Sequence, residues 1–343
     1  MRLLQGWLFL PQMRLNKNIK IFINYFLGPV LFIWLSYALF RQIQRQPHLD
    51  ETWQKIKESF YSSDLWYLIA ALLLMLINWG IETLKWKYAV HHIHPLKFFQ
   101  AFKAVLSGVS FSVTTPNRVG EYIGRMMYMP DGKRLKIIAV AIIASFSQLL
   151  VTLIVGTSGF LLLKAQLINS GLLSDIWYDF TAAGLISGTL ILTVLYFNIS
   201  RIEHIMEYWL KSTSYLYLIE AARDFSMQRL LNLLLLSLLR YGVFIGQYIL
   251  LFSLFDIDVP LIRLFWLTSL IFLTLAIIPT IALAELGIRG KVAVQLVGLA
   301  TANTLGILLA SVSVWLINLM IPAIAGSILI LTIKVFNRRN EKI

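Results

Sequence analysis

The chain has 343 residues, 58% of them hydrophobic and only 14% charged, with a mean hydropathy of +0.75. Soluble domains are about 45–50% apolar and about 25% charged, so this composition excludes an ordinary cytosolic enzyme, a disordered protein and a nucleic-acid-binding domain. The formal charge of +13 therefore points to basic cytoplasmic loops rather than to DNA, and the lack of cysteine excludes disulfides, thiolate metal sites and cysteine nucleophiles.

In chain order, residues 1–20 form a basic leader with Arg2, Arg14, Lys17 and Lys20, expected on the cytoplasmic side. Its apolar stretch 6–10 is too short for the core of a signal peptide, and no small-residue cleavage site follows. A membrane span takes about 20 mostly apolar residues. Segments 21–40, 65–84, 137–163, 181–199, 231–254 and 304–333 meet that length. Segments 97–130 and 261–299 are apolar but interrupted, the first at Thr114-Thr115-Pro116-Asn117 and the second between Pro279 and Gly290. The stretches 50–64 and 200–230 mix aromatic, aliphatic and charged residues at helical spacing. They are expected to be amphipathic helices at the membrane surface, the second on the cytoplasmic face. Residues 336–343 form a basic tail.

These segments predict an all-α polytopic membrane protein with about six transmembrane helices and two re-entrant hairpins that enter and leave on one side. With the N-terminus inside, nineteen Lys/Arg fall on the cytoplasmic side, including Lys85–Lys103 and Lys133–Lys136. Only Arg41, Arg45, Lys55, Lys57, Lys164 and Arg263 fall outside. That bias follows the positive-inside rule, whereas a seventh or eighth crossing would spoil it. The expected location is the inner or plasma membrane, with both termini cytoplasmic.

The two interruptions resemble each other. After Pro116 come Asn117, Arg118, Gly120, Glu121 and Arg125; after Pro279 come Glu285, Gly287 and Arg289. Glu121/Arg125 and Glu285/Arg289 each have i,i+4 spacing, suited to an ion pair on a helix. Proline ends the incoming half-helix, and Asn117, Gly120 and Gly287 are expected to supply turn conformations. One hairpin enters from each side, which is the arrangement of an inverted repeat with broken helices meeting around a midplane site. Arg240 stands alone near the middle of span 231–254. A charge there costs about 2.5–3.5 kcal/mol on insertion scales, and such residues normally face a bundle interior or cavity. Arg118, Arg125, Arg240 and Arg289 against Glu121 and Glu285 leave an excess of positive charge. Helix N-termini reinforce it, so the expected ligand is a phosphate. Structural ion pairing, with Arg240 tied to Glu82 or to a helix carbonyl, is the alternative.

Other features read as structural. Glu82, Lys85 and Lys87 beside Trp79 and Trp86 look like an interfacial belt at the inner end of a span. His91, His92 and His94 have no carboxylate near enough in sequence to complete a metal set. Asp50 and Glu51 read as solvated, although an acidic residue there could serve a membrane transferase. Phosphate-binding loops, nucleophile elbows and dinucleotide fingerprints are absent, so no metal or cofactor is expected.

The run Pro116-Asn117-Arg118-Val119-Gly120-Glu121 followed by Arg125 resembles the Pro-Gly-Arg-x-Gly-Glu…Arg signature of the lysylphosphatidylglycerol synthase transmembrane region, or flippase-like family. Leu286-Gly287-Ile288-Arg289 resembles its second signature. The resemblance runs from about residue 20 to 335, with Asn117 in place of the usual Gly and Gly290 where many members carry Glu. Bifunctional members add a soluble aminoacyltransferase domain after the membrane part, and this sequence stops at Ile343. The resemblance thus implies the lipid-translocating half, with lipids as partners and a separately encoded transferase as a further one. The expected substrate contacts are Arg118, Glu121, Arg125, Arg240, Glu285 and Arg289. A transferase acting on phospholipid or polyprenyl-phosphate sugar, or a scaffold for such an enzyme, are the competing readings.

Overall fold

A computed structural model describes residues 49–59, 62, 64–113, 115, 119–130, 134–200, 223, 225–278 and 282–330, with single positions at 33, 37 and 41. The predicted leader 1–20, nearly all of the predicted span 21–40, most of segment 200–230 and the tail 336–343 lie outside the described residues.

The described residues form helices and connecting turns, with no strand among them. In order they are α1 (Leu49–Ser59), α2 (Leu65–Val90), α3 (Phe98–Val113), α4 (Gly120–Met126), α5 (Arg134–Leu162), α6 (Lys164–Asn169), α7 (Asp175–Phe197), α8 (Met227–Leu254), α9 (Leu261–Ile277), α10 (Ala282–Val297), α11 (Thr304–Trp315), a π-helical turn (Leu316–Met320) and α12 (Ile321–Ile330). Five helices among the described residues are long and apolar enough to cross a membrane: α2, Lys136–Leu162 of α5, α7, α8 and the continuous run Thr304–Ile330.

The helix ends depart from the predicted ones by a few residues, most at two places. Helix α2 runs on past 84 because Trp86, Ala89 and Val90 are buried against the protein instead of ending at an interface. Helix α7 starts at Asp175, well before 181. Ser174 is extended at its N-cap and Asp175 complements the helix dipole. Ile176, Trp177 and Phe180 point outward, as interfacial aromatic residues do.

The bundle is built around α2, α8, α3 and α12. Helix α3 has 16 residues and α9 has 17. At 1.5 Å per residue each is about 25 Å long, short of a hydrocarbon core about 30 Å thick. After α3 the chain turns back, and α4 packs on α3 through glycines. A methyl group on Gly124 would come within 2.5 Å of Gly108 Cα. On the other flank Gly326 of α12 lies against the Leu106 carbonyl, and the Ser110 hydroxyl donates to the Ala323 carbonyl. Such small-residue packing lets helix backbones approach where no hydrophobic effect drives them together. The result is that every residue from Ala104 to Val113 is buried.

The π-helical turn has a local cause. Pro322 has no N–H to offer the carbonyl of Asn318 four residues earlier, and its ring crowds that carbonyl. The widened turn carries Asn318 inward, buried, with its Nδ2 donating to the Val314 carbonyl at 3.2 Å.

Candidate functional site

Helix α2 places Asn78, Trp79, Glu82, Lys85 and Trp86 along one side at three- and four-residue spacing. The sequence reading made the last four an interfacial belt. The structure corrects this: Glu82 is 5% and Lys85 3% exposed, and both tryptophans are buried. The helix continues beyond them and α8 packs along it, so that side of α2 faces protein.

Glu82 is the centre of an ion network. Its Oε1 accepts from Arg125 Nη2 at 2.6 Å, and its Oε2 pairs with Arg240 Nη1 at 3.0 Å. Arg125 also pairs with Glu121, one turn earlier on α4. Arg240 Nε donates to Asn78 Oδ1 at 2.9 Å, and Asn78 Nδ2 donates to Asn318 Oδ1 at 3.3 Å. Arg125 stacks over Trp86 at 5.0 Å, and Arg240 lies against both Trp79 (5.5 Å) and Phe244 (5.3 Å). The Lys85 ammonium sits within electrostatic reach of Glu82, Arg125 and Arg240. Paired charges and aromatic faces offset the desolvation each guanidinium suffers in an apolar bundle.

Beside this network is a cavity of about 540 Å³, within the range of small-molecule sites. Arg240 and Arg289 line it, with Trp79, Tyr241, Phe244, Phe272 and Trp315 as an aromatic wall and Gln148, Thr152 and Asn318 as polar groups. The end of α9, Leu275 to Ile278, closes one side. Arg289 Nη1 donates to Tyr248 Oη at 2.7 Å. No Asp or Glu lines the cavity among the described residues.

The residues singled out by sequence divide into groups. Arg240 and Arg289 meet at the cavity. Glu121 and Arg125 form the expected i,i+4 pair and join Arg240 through Glu82, so the tie from Arg240 to Glu82 weighed as the structural alternative is present. Arg118, Pro116, Asn117 and Pro279 lie outside the described residues, as does the side chain of Glu285. Ile278, just before Pro279, is extended, as a residue preceding proline should be. Two expectations about glycines need correction. Gly287 is not at a break: it lies inside α10, exposed, with open space around it. Gly120 starts α4 and is needed for close approach, because a Cβ there would strike the Phe111 carbonyl. Its N–H donates to Thr115 Oγ1 at 2.7 Å.

Asn78, Glu82, Gln148, Tyr248 and Asn318 were missed as site residues. For α2 a signal existed: Asn78, Glu82 and Lys85 repeat on one helical side inside an otherwise apolar span. His91 and His92 are exposed, and no group of metal-ligating side chains occurs among the described residues.

A family model described as Lysylphosphatidylglycerol synthase TM region matches residues 21–326. The chain belongs to this family. The network and the cavity wall lie wholly within the matched lysylphosphatidylglycerol synthase TM region, which reaches Gly326 in α12. Family and apolar helices together make this a multi-pass membrane protein. No curated protein and no solved structure matches the chain.

Proposed function

We propose that this lysylphosphatidylglycerol synthase TM-region protein binds an anionic phospholipid or lipid-linked headgroup and moves it between leaflets. The observation that carries the reading is the pair Arg240 and Arg289 on a cavity with no described carboxylate in its wall. Guanidinium forks match phosphate oxygens. A phosphate entering the cavity competes with Glu82 for Arg240, and Glu82 then remains paired with Arg125 and close to Lys85. Arg118 is assigned to the same headgroup from the first hairpin, and Glu121 and Glu285 to orienting the guanidiniums. Rocking of the two halves alternates access.

The proposed topology has six spans, two re-entrant hairpins and both termini in the cytoplasm, in the inner or plasma membrane. The short α3 and α9, the return of α4 onto α3 and the loop charge bias support it. The test is a leaflet-resolved lipid assay in proteoliposomes. Wild-type protein is expected to accelerate exchange of an anionic lipid, and Arg240→Gln and Arg289→Gln to abolish it. Equal rates with and without protein overturn the reading.

A further inference from the structure

We infer that Lys85 is a positioning residue for phosphate binding: it takes over Glu82 as counter-ion when a bound phosphate draws Arg240 away. The inference rests on the anionic-headgroup reading above and names the group that makes the exchange possible. Two observations support it.

The first is that the two arginines hold Glu82 unequally. Arg125 Nη2 donates to Glu82 Oε1 at 2.6 Å. Arg240 Nη1 lies 3.0 Å from Oε2, but the pair is not aligned as a hydrogen bond, and Oε2 accepts none among the described residues. Arg125 is also fixed by Glu121 and by the face of Trp86, and it does not line the cavity. Arg240 does line it. Its Nε bond to Asn78 and the rings of Trp79 and Phe244 hold the guanidinium in place whichever anion faces its other edge. The Arg240 side of Glu82 is therefore the side that a ligand can exchange.

The second is an uncommitted cation next to it. Lys85 follows Glu82 by three residues on α2, on the same side of the helix, and its ammonium is within electrostatic reach of Glu82. Lys85 is 3% exposed, yet among the described residues it forms no ion pair or hydrogen bond. A buried ammonium is costly to keep without a partner, and the resting network does not use it. When phosphate takes Arg240, Glu82 Oε2 loses its cation inside the protein. An ammonium is a compact charge with three donors on a flexible four-carbon stem, so Lys85 reaches that oxygen by rotation about its own side-chain bonds. A guanidinium stacked on a ring, as Arg125 is on Trp86, lacks that freedom. The exchange leaves both oxygens of Glu82 facing a cation with and without ligand, which lowers the cost of releasing Arg240 to the phosphate.

The test is a double-variant cycle on the purified full-length protein in micelles, titrated with short-chain phosphatidylglycerol and followed by intrinsic tryptophan fluorescence. Wild type is expected to bind and Arg240→Gln to lose binding. Lys85→Met is expected to weaken binding about tenfold, because Glu82 then has no substitute cation and holds Arg240 back. In the Glu82→Gln background there is no carboxylate to hold, so adding Lys85→Met is expected to change affinity by about twofold or less. A direct contact between Lys85 and the ligand, or a packing role, carries the full loss into that background. That result overturns the inference, as does Lys85→Met binding as tightly as wild type, and both leave phosphate binding at Arg240 standing. Should Lys85→Met not fold, Lys85→Gln enters the cycle in its place. No saturable binding by wild type, or equal binding by Arg240→Gln, overturns both the reading and the inference.

Discussion

Glu82→Gln keeps the volume of the side chain and removes the one carboxylate that a buried and a half-buried guanidinium share. The Arg125 and Arg240 side chains are 5% and 13% exposed, so neither can be resolvated in place. Breaking a buried ion pair typically costs about 3–5 kcal/mol, mostly through the charge left behind. Arg125 keeps Glu121, and Arg240 keeps Asn78 and two aromatic faces, which puts the cost near the lower end, about 3 kcal/mol. With roughly 2 °C lost per kcal/mol in a chain of this size, the thermal midpoint should fall by about 6 °C. Thermal unfolding of purified protein in micelles, read by tryptophan fluorescence, measures it. Adding Arg240→Gln removes the stranded charge, so the double variant should melt above Glu82→Gln alone, a non-additivity expected of residues in one network. A single variant within about 2 °C of wild type, or a double variant lower than the single, refutes the claim that Glu82 holds the two arginines together.

Gly124→Ala forces a methyl against Gly108 backbone and should destabilise by about 1–3 kcal/mol, seen as a lower thermal midpoint. Gly287→Ala meets nothing within 4 Å inside α10. It should be neutral or stabilise by up to about 1 kcal/mol, whereas a turn role would make it harmful. Asn318→Leu removes bonds to Asn78 and the Val314 carbonyl. It leaves buried partners bare at about 1–3 kcal/mol and should lower both thermal stability and lipid affinity. Asp50→Asn, exposed at the start of α1, should leave lipid exchange at the wild-type rate in the proteoliposome assay. Loss of exchange would favour the transferase reading.

Span existence was legible because burial in lipid requires long apolar runs whatever the packing. Five of the predicted spans reappear, as α2, α5, α7, α8 and the Thr304–Ile330 run, with ends shifted where tertiary contacts extend them, as at Trp86. The Glu121/Arg125 pair was legible because i,i+4 spacing is a local property of a helix. Gly287 was misread because a glycine near a proline looks like a turn until the helix around it is seen.

Composition and periodicity by themselves determined that this is a helical, multi-pass membrane protein, and the lone charge of Arg240 in an apolar span and the Glu121/Arg125 motif marked those residues as facing a bundle interior or cavity. Tertiary structure alone decided what those charges do. Glu82, Arg125 and Arg240 come from three separate helices, and no local rule relates them. Glu82 changes from a surface residue to the hub of the network only when α8 lies along α2. Asn318 reaches the cavity only because Pro322 widens the turn beneath it. Pair energies in a low-dielectric interior depend on distances between helices, and sequence spacing encodes distance only within one helix.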